Sequence, residues 1–174
     1  IALYSVKTTG RAAVARFHPQ LREDVLGRLS IVEDLRRLLD GGADAGRLEL
    51  RYQPLVALAD GAVLGCEALV RWRHPERGLL APDAFLDLAE EHGLAGRIDA
   101  WVLSAALAQL SAWDGAGSSQ LFVSVNLGRS SMLDTGLDDR VRAALAASGI
   151  APGRLHLEIT EHDELPRTAG VAPL

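Results

Sequence analysis

The chain has a single cysteine, a single lysine against 17 arginines, and no long hydrophobic run. One cysteine, Cys66, cannot form an internal disulfide, which indicates a reducing compartment such as the cytoplasm. Without about 18 consecutive apolar residues this portion should make no membrane contact, although an N-terminal region of a longer protein could carry an anchor. The net charge of -5 argues against a DNA or RNA polymer as partner, although it permits one small anionic ligand.

An acid and a base share one face of a strand that should be buried. In the apolar segment 65–72, strand alternation places Glu67, Leu69 and Arg71 on one face and the apolar residues Cys66, Ala68, Val70 and Trp72 on the other. A carboxylate and a guanidinium in the middle of such a strand cost free energy, because both must leave water. We therefore predict that this face lines a functional site.

Three other apolar segments carry a polar residue near their C-terminal ends. These residues are Gln53, Asn126 and Glu158, in segments at about 48–56, 121–127 and 155–161. Polar side chains at the C-terminal ends of successive strands are typical of the active-site end of a barrel of β and α units. Two carboxylates and an amide oxygen are ligands that suit a hard divalent ion such as Mg²⁺. The pattern predicts an α/β fold with a metal site.

Turn residues divide the chain further. The first two strands should form an antiparallel hairpin, because the connection around Asp60-Gly61 is too short for a crossover. A helix at about 21–41 should end at Gly41-Gly42. Pro82 should begin a helix that Gly93 ends, and a longer helix should follow from Gly96.

Four motifs stand in a fixed order along the chain. They are Tyr52-Gln53-Pro54, Glu67-Ala68-Leu69-Val70-Arg71-Trp72-Arg73-His74-Pro75, Ser124-Val125-Asn126-Leu127 and Leu157-Glu158-Ile159-Thr160-Glu161. With a matching segment at 78–85, they resemble the motifs of the EAL domain over about residues 31–174. The resemblance implies a partial TIM-like (β/α) barrel with an antiparallel first strand pair. It also implies metal-dependent hydrolysis of cyclic di-GMP to linear pGpG.

The resemblance assigns roles to individual residues. The implied metal ligands, for Mg²⁺ or Mn²⁺, are Glu67, Asn126 and Glu158. The implied contacts to cyclic di-GMP are Gln53, Leu69 and Arg71. Arg71 suits a phosphate oxygen because its planar guanidinium can donate two hydrogen bonds. Glu161, just beyond the last strand, would support a neighbouring loop.

A second, weaker resemblance lies at the N-terminus. Residues 1–17 resemble the end of a GGDEF diguanylate cyclase domain, in which Lys7 and Arg11 match positions that contact GTP phosphate. The GGDEF signature itself is absent, so we expect no cyclase activity. The expected division is a GGDEF-like tail at 1–18, a connecting helix and linker at 19–45, and the N-terminal part of an EAL domain at 46–174.

The length of the chain implies a fragment of a tandem GGDEF-EAL protein. A whole barrel of this kind takes ~250 residues, so this one should stop about halfway round. The paired aspartates, lysine and glutamate of the family's later motifs are expected beyond Leu174. We therefore expect the chain alone to be inactive and its parent to be the phosphodiesterase. The parent could be membrane-anchored through its N-terminal region and could form a homodimer through the EAL domain.

Two alternatives stay open. A catalytically inactive EAL domain would bind cyclic di-GMP as a receptor or act as a protein-interaction module. Arg71 could form a structural ion pair with Glu67 rather than bind a phosphate. Glu90 and Glu91 are expected to form a solvated helix end. No functional role is expected for four of the histidines, His74, His92, His156 and His162.

Overall fold

The computed structural model describes residues 19–117 and 120–159 of the chain. The predictions for Lys7, Arg11 and Glu161 lie outside these residues, as does the expected GGDEF-like tail. No helix within the described ranges is long and apolar enough to cross a membrane.

Strands and helices alternate along the described chain. The strands are β1 (Arg47–Val56), β2 (Val63–His74), β3 (Gly78–Leu80), β4 (Phe122–Leu127) and β5 (Leu155–Ile159). The α-helices are α1 (Pro19–Leu39), α2 (Leu86–Glu91), α3 (Ala95–Gly115), α4 (Arg129–Met132) and α5 (Leu137–Ser148). Short 3₁₀ turns occupy Ala43–Ala45, Pro82–Ala84 and Pro152–Arg154.

The strands form one mixed sheet in the order β1-β2-β4-β5, with β3 also paired to β2. β1 and β2 are an antiparallel hairpin, and Gly61 takes the positive φ of +73° that its turn needs. β2 and β4 are parallel, as are β4 and β5, and helices connect them. The predicted α/β fold with an antiparallel first strand pair is confirmed.

The described helices lie against one face of the sheet. In β2 the alternate residues Cys66, Ala68, Val70 and Trp72 are buried in the core, while the residues between them stay half-exposed. The core is completed by fully buried apolar side chains of β4 and α3, among them Val123, Val125, Ile98, Leu107 and Leu110. The opposite face therefore remains available for polar side chains.

The local structure differs from the sequence-based expectation at two points. The helix expected at Pro82 begins instead at Leu86, after a 3₁₀ turn. Phe85 causes the break: its φ of -142° lies outside the helical range, and its side chain is fully buried in the core. β3 was not predicted, because its three residues are extended only through pairing with the end of β2.

Helix α1 is anchored to the sheet by apolar packing and one buried polar contact. Val32 and Leu35 belong to the hydrophobic core. The Asp34 carboxylate lies 3.1 Å from Nε2 of the buried His74, at the end of β2. Nδ1 of His74 accepts hydrogen bonds from the backbone N–H groups of Glu76 and Arg77. His74 thus has both ring nitrogens engaged in structural contacts.

Candidate active site

A row of polar side chains crosses the open face of the sheet. Gln53 of β1 pairs in register with Glu67 of β2, and Glu67 pairs with Ser124 of β4. Asn126, two residues further along β4, pairs with Glu158 of β5. Directly paired residues point to the same side of a sheet, so all five side chains share one face.

Glu67 and Asn126 are in direct contact. Nδ2 of Asn126 donates a hydrogen bond to Oε1 of Glu67 at 2.6 Å, and both side chains are half-buried. A 180° turn of the amide would present Oδ1 to the same space, because the two ends of an amide have nearly the same shape. The pair can thus offer an acidic and an amide oxygen toward one point.

Glu158 is held by a buried hydroxyl. Oγ of Ser124, whose side chain is 0% exposed, donates a hydrogen bond to Oε1 of Glu158. Sequence reasoning assigned Ser124 no role, although its position two residues before Asn126 places it on the same face. This contact leaves Oε2 of Glu158 without a protein donor among the described residues.

An aromatic stack borders the row toward the N-terminal ends of the strands. The rings of Phe122 and His156 lie 4.2 Å apart at an angle of 24°. Phe122 can lie close to β2 because position 65 is glycine: a Cβ on Gly65 would come within 2.7 Å of Phe122 Cγ. The contact that the structure shows for the His156 ring is therefore a packing contact with Phe122.

The predicted nucleotide-binding residues flank Glu67. Leu69 and Arg71 are half-buried on the same face of β2, and Gln53 is exposed on β1. NH1 of Arg71 donates a hydrogen bond to the Val70 carbonyl at 2.7 Å. Within residues 19–117 and 120–159 Arg71 forms no ion pair, so the alternative pair with Glu67 is not made in this structure.

Comparison with known proteins decides the family. Residues 32–172 match the EAL domain family. The chain belongs to that family.

Two relatives carry names that state an activity. The chain is 44% identical over 161 residues to cyclic di-GMP phosphodiesterase NbdA of Pseudomonas aeruginosa, an alignment covering 92% of this chain and 20% of NbdA. It is 38% identical over 160 residues to the bifunctional diguanylate cyclase/cyclic di-GMP phosphodiesterase MucR of the same organism, covering 92% of this chain and 23% of MucR. The chain spans about a fifth of the length of these relatives.

Solved EAL structures have the same fold. The PaMucR phosphodiesterase in complex with c-di-GMP matches with a TM-score of 0.70 at 40% identity, covering 76% of this chain and 52% of that one. The EAL domain of Xanthomonas citri FimX in complex with c-di-GMP matches with a TM-score of 0.67 at 31% identity, covering 82% of this chain and 53% of that one. The described sheet thus corresponds to part of an EAL barrel.

A cavity of about 490 Å³ lies between β2, the end of β4 and the helices α2 and α3. It is lined by Leu69 and Asn126 and, from α2 and α3, by Asp87, Glu90 and Asp99. Apolar side chains form much of its remaining wall. The cavity connects the end of β4 with the helices that cover the sheet.

Two carboxylates hold the loop that follows Asn126. Oδ2 of Asp99 accepts a hydrogen bond from the Gly128 N–H at 3.0 Å, and Oε1 of Glu90 accepts one from the Ser130 N–H at 3.4 Å. Burial raises the pKa of the Asp99 carboxyl, an effect that the Gly128 N–H opposes. The prediction of a solvated end was wrong for Glu90, because α2 directs it toward the start of α4. Glu91 is exposed and pairs with Arg28 at 3.2 Å.

The side chains predicted to bind metal are chemically suited to a hard divalent ion. Glu67, Asn126 and Glu158 supply two carboxylates and an amide oxygen, and Mg²⁺ usually keeps several waters beside such ligands. Within the two described ranges no group of three or more His, Cys, Asp or Glu side chains could hold a metal ion. Mg²⁺ takes six ligands, so Glu67, Asn126 and Glu158 alone form a partial ligand set, which waters or further residues would complete.

Proposed function

We propose that the protein containing this EAL domain hydrolyses cyclic di-GMP to linear pGpG. The structural observation that supports this is the row in which Glu67 contacts Asn126 and Asn126 pairs with Glu158 across three strands. The 44% identity to a protein named as a cyclic di-GMP phosphodiesterase supports cyclic di-GMP as the substrate.

In this proposal Glu67, Asn126 and Glu158 hold a divalent ion, Mg²⁺ or Mn²⁺. EAL phosphodiesterases generally depend on a divalent metal. The ion would lower the pKa of a bound water and offset negative charge on the phosphoryl oxygens. Ser124 would fix the orientation of Glu158 through the hydrogen bond to Oε1.

Gln53, Leu69 and Arg71 would bind the dinucleotide. The Arg71 guanidinium, on the same face as Glu67, would donate hydrogen bonds to a phosphate oxygen. Gln53 would contribute a neutral contact from β1, and Leu69 an apolar one from β2. These contacts would orient one phosphodiester toward the acidic row.

The test uses the protein that carries the whole EAL domain. It is incubated with cyclic di-GMP and Mg²⁺ or Mn²⁺, and the products are separated by chromatography. We expect linear pGpG, and none after the metal is removed with EDTA. Cyclic di-GMP binding without any product would favour the receptor alternative, and absence of both would refute the proposal.

Replacing Arg71 should weaken binding more than it lowers stability. Arg71→Ala removes charge-assisted hydrogen bonds worth about 1.5–3 kcal/mol each, so we expect affinity for cyclic di-GMP to fall about tenfold to a hundredfold. Arg77→Ala is the matched control, because Arg77 is exposed on a turn and its side chain contacts Ser30. Calorimetric titration and thermal unfolding give the two readouts. A lower unfolding temperature with intact binding would show that Arg71 is structural.

The 174 residues alone should not hydrolyse cyclic di-GMP. We infer this from the partial ligand set and from the 52% of the PaMucR chain that this chain covers. The expected result is no linear dinucleotide above a protein-free control in the presence of Mn²⁺. Turnover by a monodisperse preparation of this chain would show that these residues are sufficient.

The organisation of the longer protein completes the proposal. The division into residues 1–18, 19–45 and 46–174, with a GGDEF-like tail first, remains a prediction, and so does the supporting role of Glu161. The family match begins at residue 32, within α1. A cytoplasmic location fits the buried, unpaired thiol of Cys66. A homodimer through the EAL domain and a membrane anchor in an N-terminal region of the longer protein also remain predictions.

A further inference from the structure

A carboxylate lies directly across the hairpin from Arg71. Glu49 of β1 is the register partner of Arg71 in β2, and its side chain is 19% exposed. Paired residues in an antiparallel ladder have Cβ atoms ~4.5–5.5 Å apart and point to the same face. Glu49 is therefore within reach of the guanidinium that the proposed function assigns to a phosphate.

Glu49 is engaged by other arginines. Nε and NH2 of Arg73 donate to Oε2 and Oε1 of Glu49 at 3.0 and 3.1 Å. NH2 of Arg51 donates to Oε1 at 3.0 Å. The hydrogen bond from Arg73, aided by that from Arg51, holds the pKa of the Glu49 carboxyl below its usual value, so the group is ionised at neutral pH.

Arg71 stays out of this network. Its guanidinium makes one hydrogen bond, to the Val70 carbonyl, and its other N–H donors have no partner among the described residues. An arginine already paired with a carboxylate would have to break that pair before it could bind an anion, which reduces its net affinity. Whether the Glu49 carboxylate pairs with Arg73 or with Arg71 therefore determines whether Arg71 is available to bind an anion.

We propose that Arg73, assisted by Arg51, holds the Glu49 carboxylate away from Arg71 and so keeps Arg71 available for the anionic ligand. Arg73 is then a positioning residue that acts through Glu49. The inference rests on the proposed function only in taking that ligand to be a phosphodiester dinucleotide. Removing Arg73 breaks both of its hydrogen bonds to Glu49 and leaves Oε2, among the described residues, with the long 4.0 Å contact to Nε of the exposed Arg47. One carboxylate oxygen is enough to pair with Arg71.

The experiment is a double-mutant cycle on the protein that carries the whole EAL domain. Affinity for cyclic di-GMP is measured by calorimetric titration in EDTA, so that the ligand is not consumed. We expect Arg73→Ala to weaken binding about tenfold, Glu49→Gln to leave it unchanged, and the double variant to bind within about twofold of the unaltered protein. Rescue by Glu49→Gln separates positioning from direct contact, because a lost ligand contact would not return.

Arg47→Ala is the matched control. Arg47 is the register partner of Arg73 on the same face, yet its Nε lies 4.0 Å from Glu49 and its side chain is 72% exposed. If Arg47→Ala lost as much affinity as Arg73→Ala, the loss would be explained by the removal of any positive charge from this face. That result would overturn the inference. Arg73→Gln, which keeps part of the side chain, replaces Arg73→Ala if thermal unfolding shows that the alanine variant does not fold.

The outcomes separate the inference from the function on which it rests. No binding by the unaltered protein, together with no linear pGpG in the presence of Mg²⁺ or Mn²⁺, would overturn both. No binding in EDTA by a protein that still hydrolyses cyclic di-GMP would overturn the inference alone. Binding by the unaltered protein together with unchanged binding by Arg73→Ala would overturn the inference alone, as would a weakened variant that Glu49→Gln does not rescue. Weakened binding with full rescue would establish Arg73 as the residue that restrains Glu49.

Discussion

Glu67→Gln should reduce hydrolysis of cyclic di-GMP about a hundredfold to a thousandfold while the fold stays intact. The amide has nearly the same shape as the carboxylate, and its oxygen can still accept the hydrogen bond that Asn126 donates to Glu67 at 2.6 Å. The negative charge that would balance a divalent ion is lost, and removal of one well-placed electrostatic group typically costs this much in rate. Turnover by chromatography and thermal unfolding are measured on the same preparations.

Glu76→Gln is the control for that variant. Glu76 is exposed on the turn after β2, and its backbone N–H, which the substitution keeps, donates a hydrogen bond to Nδ1 of His74. The Glu76→Gln substitution removes one negative charge, as Glu67→Gln does, but outside the row. We therefore expect unchanged turnover. Unchanged turnover in Glu67→Gln as well would rule out a metal-ligand role for Glu67.

Trp72→Ala should lower the free energy of unfolding by about 3–5 kcal/mol, enough to unfold many domains of this size. The Trp72 side chain is 0% exposed and packs edge-on against Phe85 and His74, with ring centroids 5.8 and 4.9 Å away. Its Nε1–H also donates to the Ala45 carbonyl at 2.9 Å. Chemical denaturation of the variant measures the loss.

Trp72→Phe separates packing from the hydrogen bond. Phenylalanine fills much of the same volume but leaves the Ala45 carbonyl without its donor, which should cost about 1–3 kcal/mol. A loss below about 1 kcal/mol in Trp72→Ala would show that the surrounding core closes over the cavity.

The sequence predicted those parts of the fold and site that depend on local pattern. Alternation in β2 placed Glu67, Leu69 and Arg71 opposite the core, and the burial of Cys66 and Trp72 confirms it. The hairpin followed from the short connection between its strands. Both inferences need only the two-residue period of a strand and the length of a turn.

Features that depend on contacts between distant segments could not be predicted. Glu90 and Glu91 are alike in sequence, yet only Glu90 meets the N-terminal end of α4, which is 40 residues away. The role of Ser124 depends on Glu158, which is 34 residues further along the chain. Phe85 interrupts a helical pattern because its ring packs in the hydrophobic core. This tertiary packing overrides the helical preference of the local sequence.

The row on the open face comes from four separate strands, so it exists only when the sheet is assembled. Glu67 and Asn126 are 59 residues apart, and no short peptide from this chain could bring them together. Ligand binding to the row and folding of the sheet are thermodynamically linked. A ligand that binds only the assembled row raises the free energy of unfolding by about 2.7 kcal/mol when its concentration is a hundred times its Kd. The converse also holds, because any substitution that loosens the sheet reduces occupancy of the row. Loss of binding therefore identifies a functional residue only when stability is unchanged.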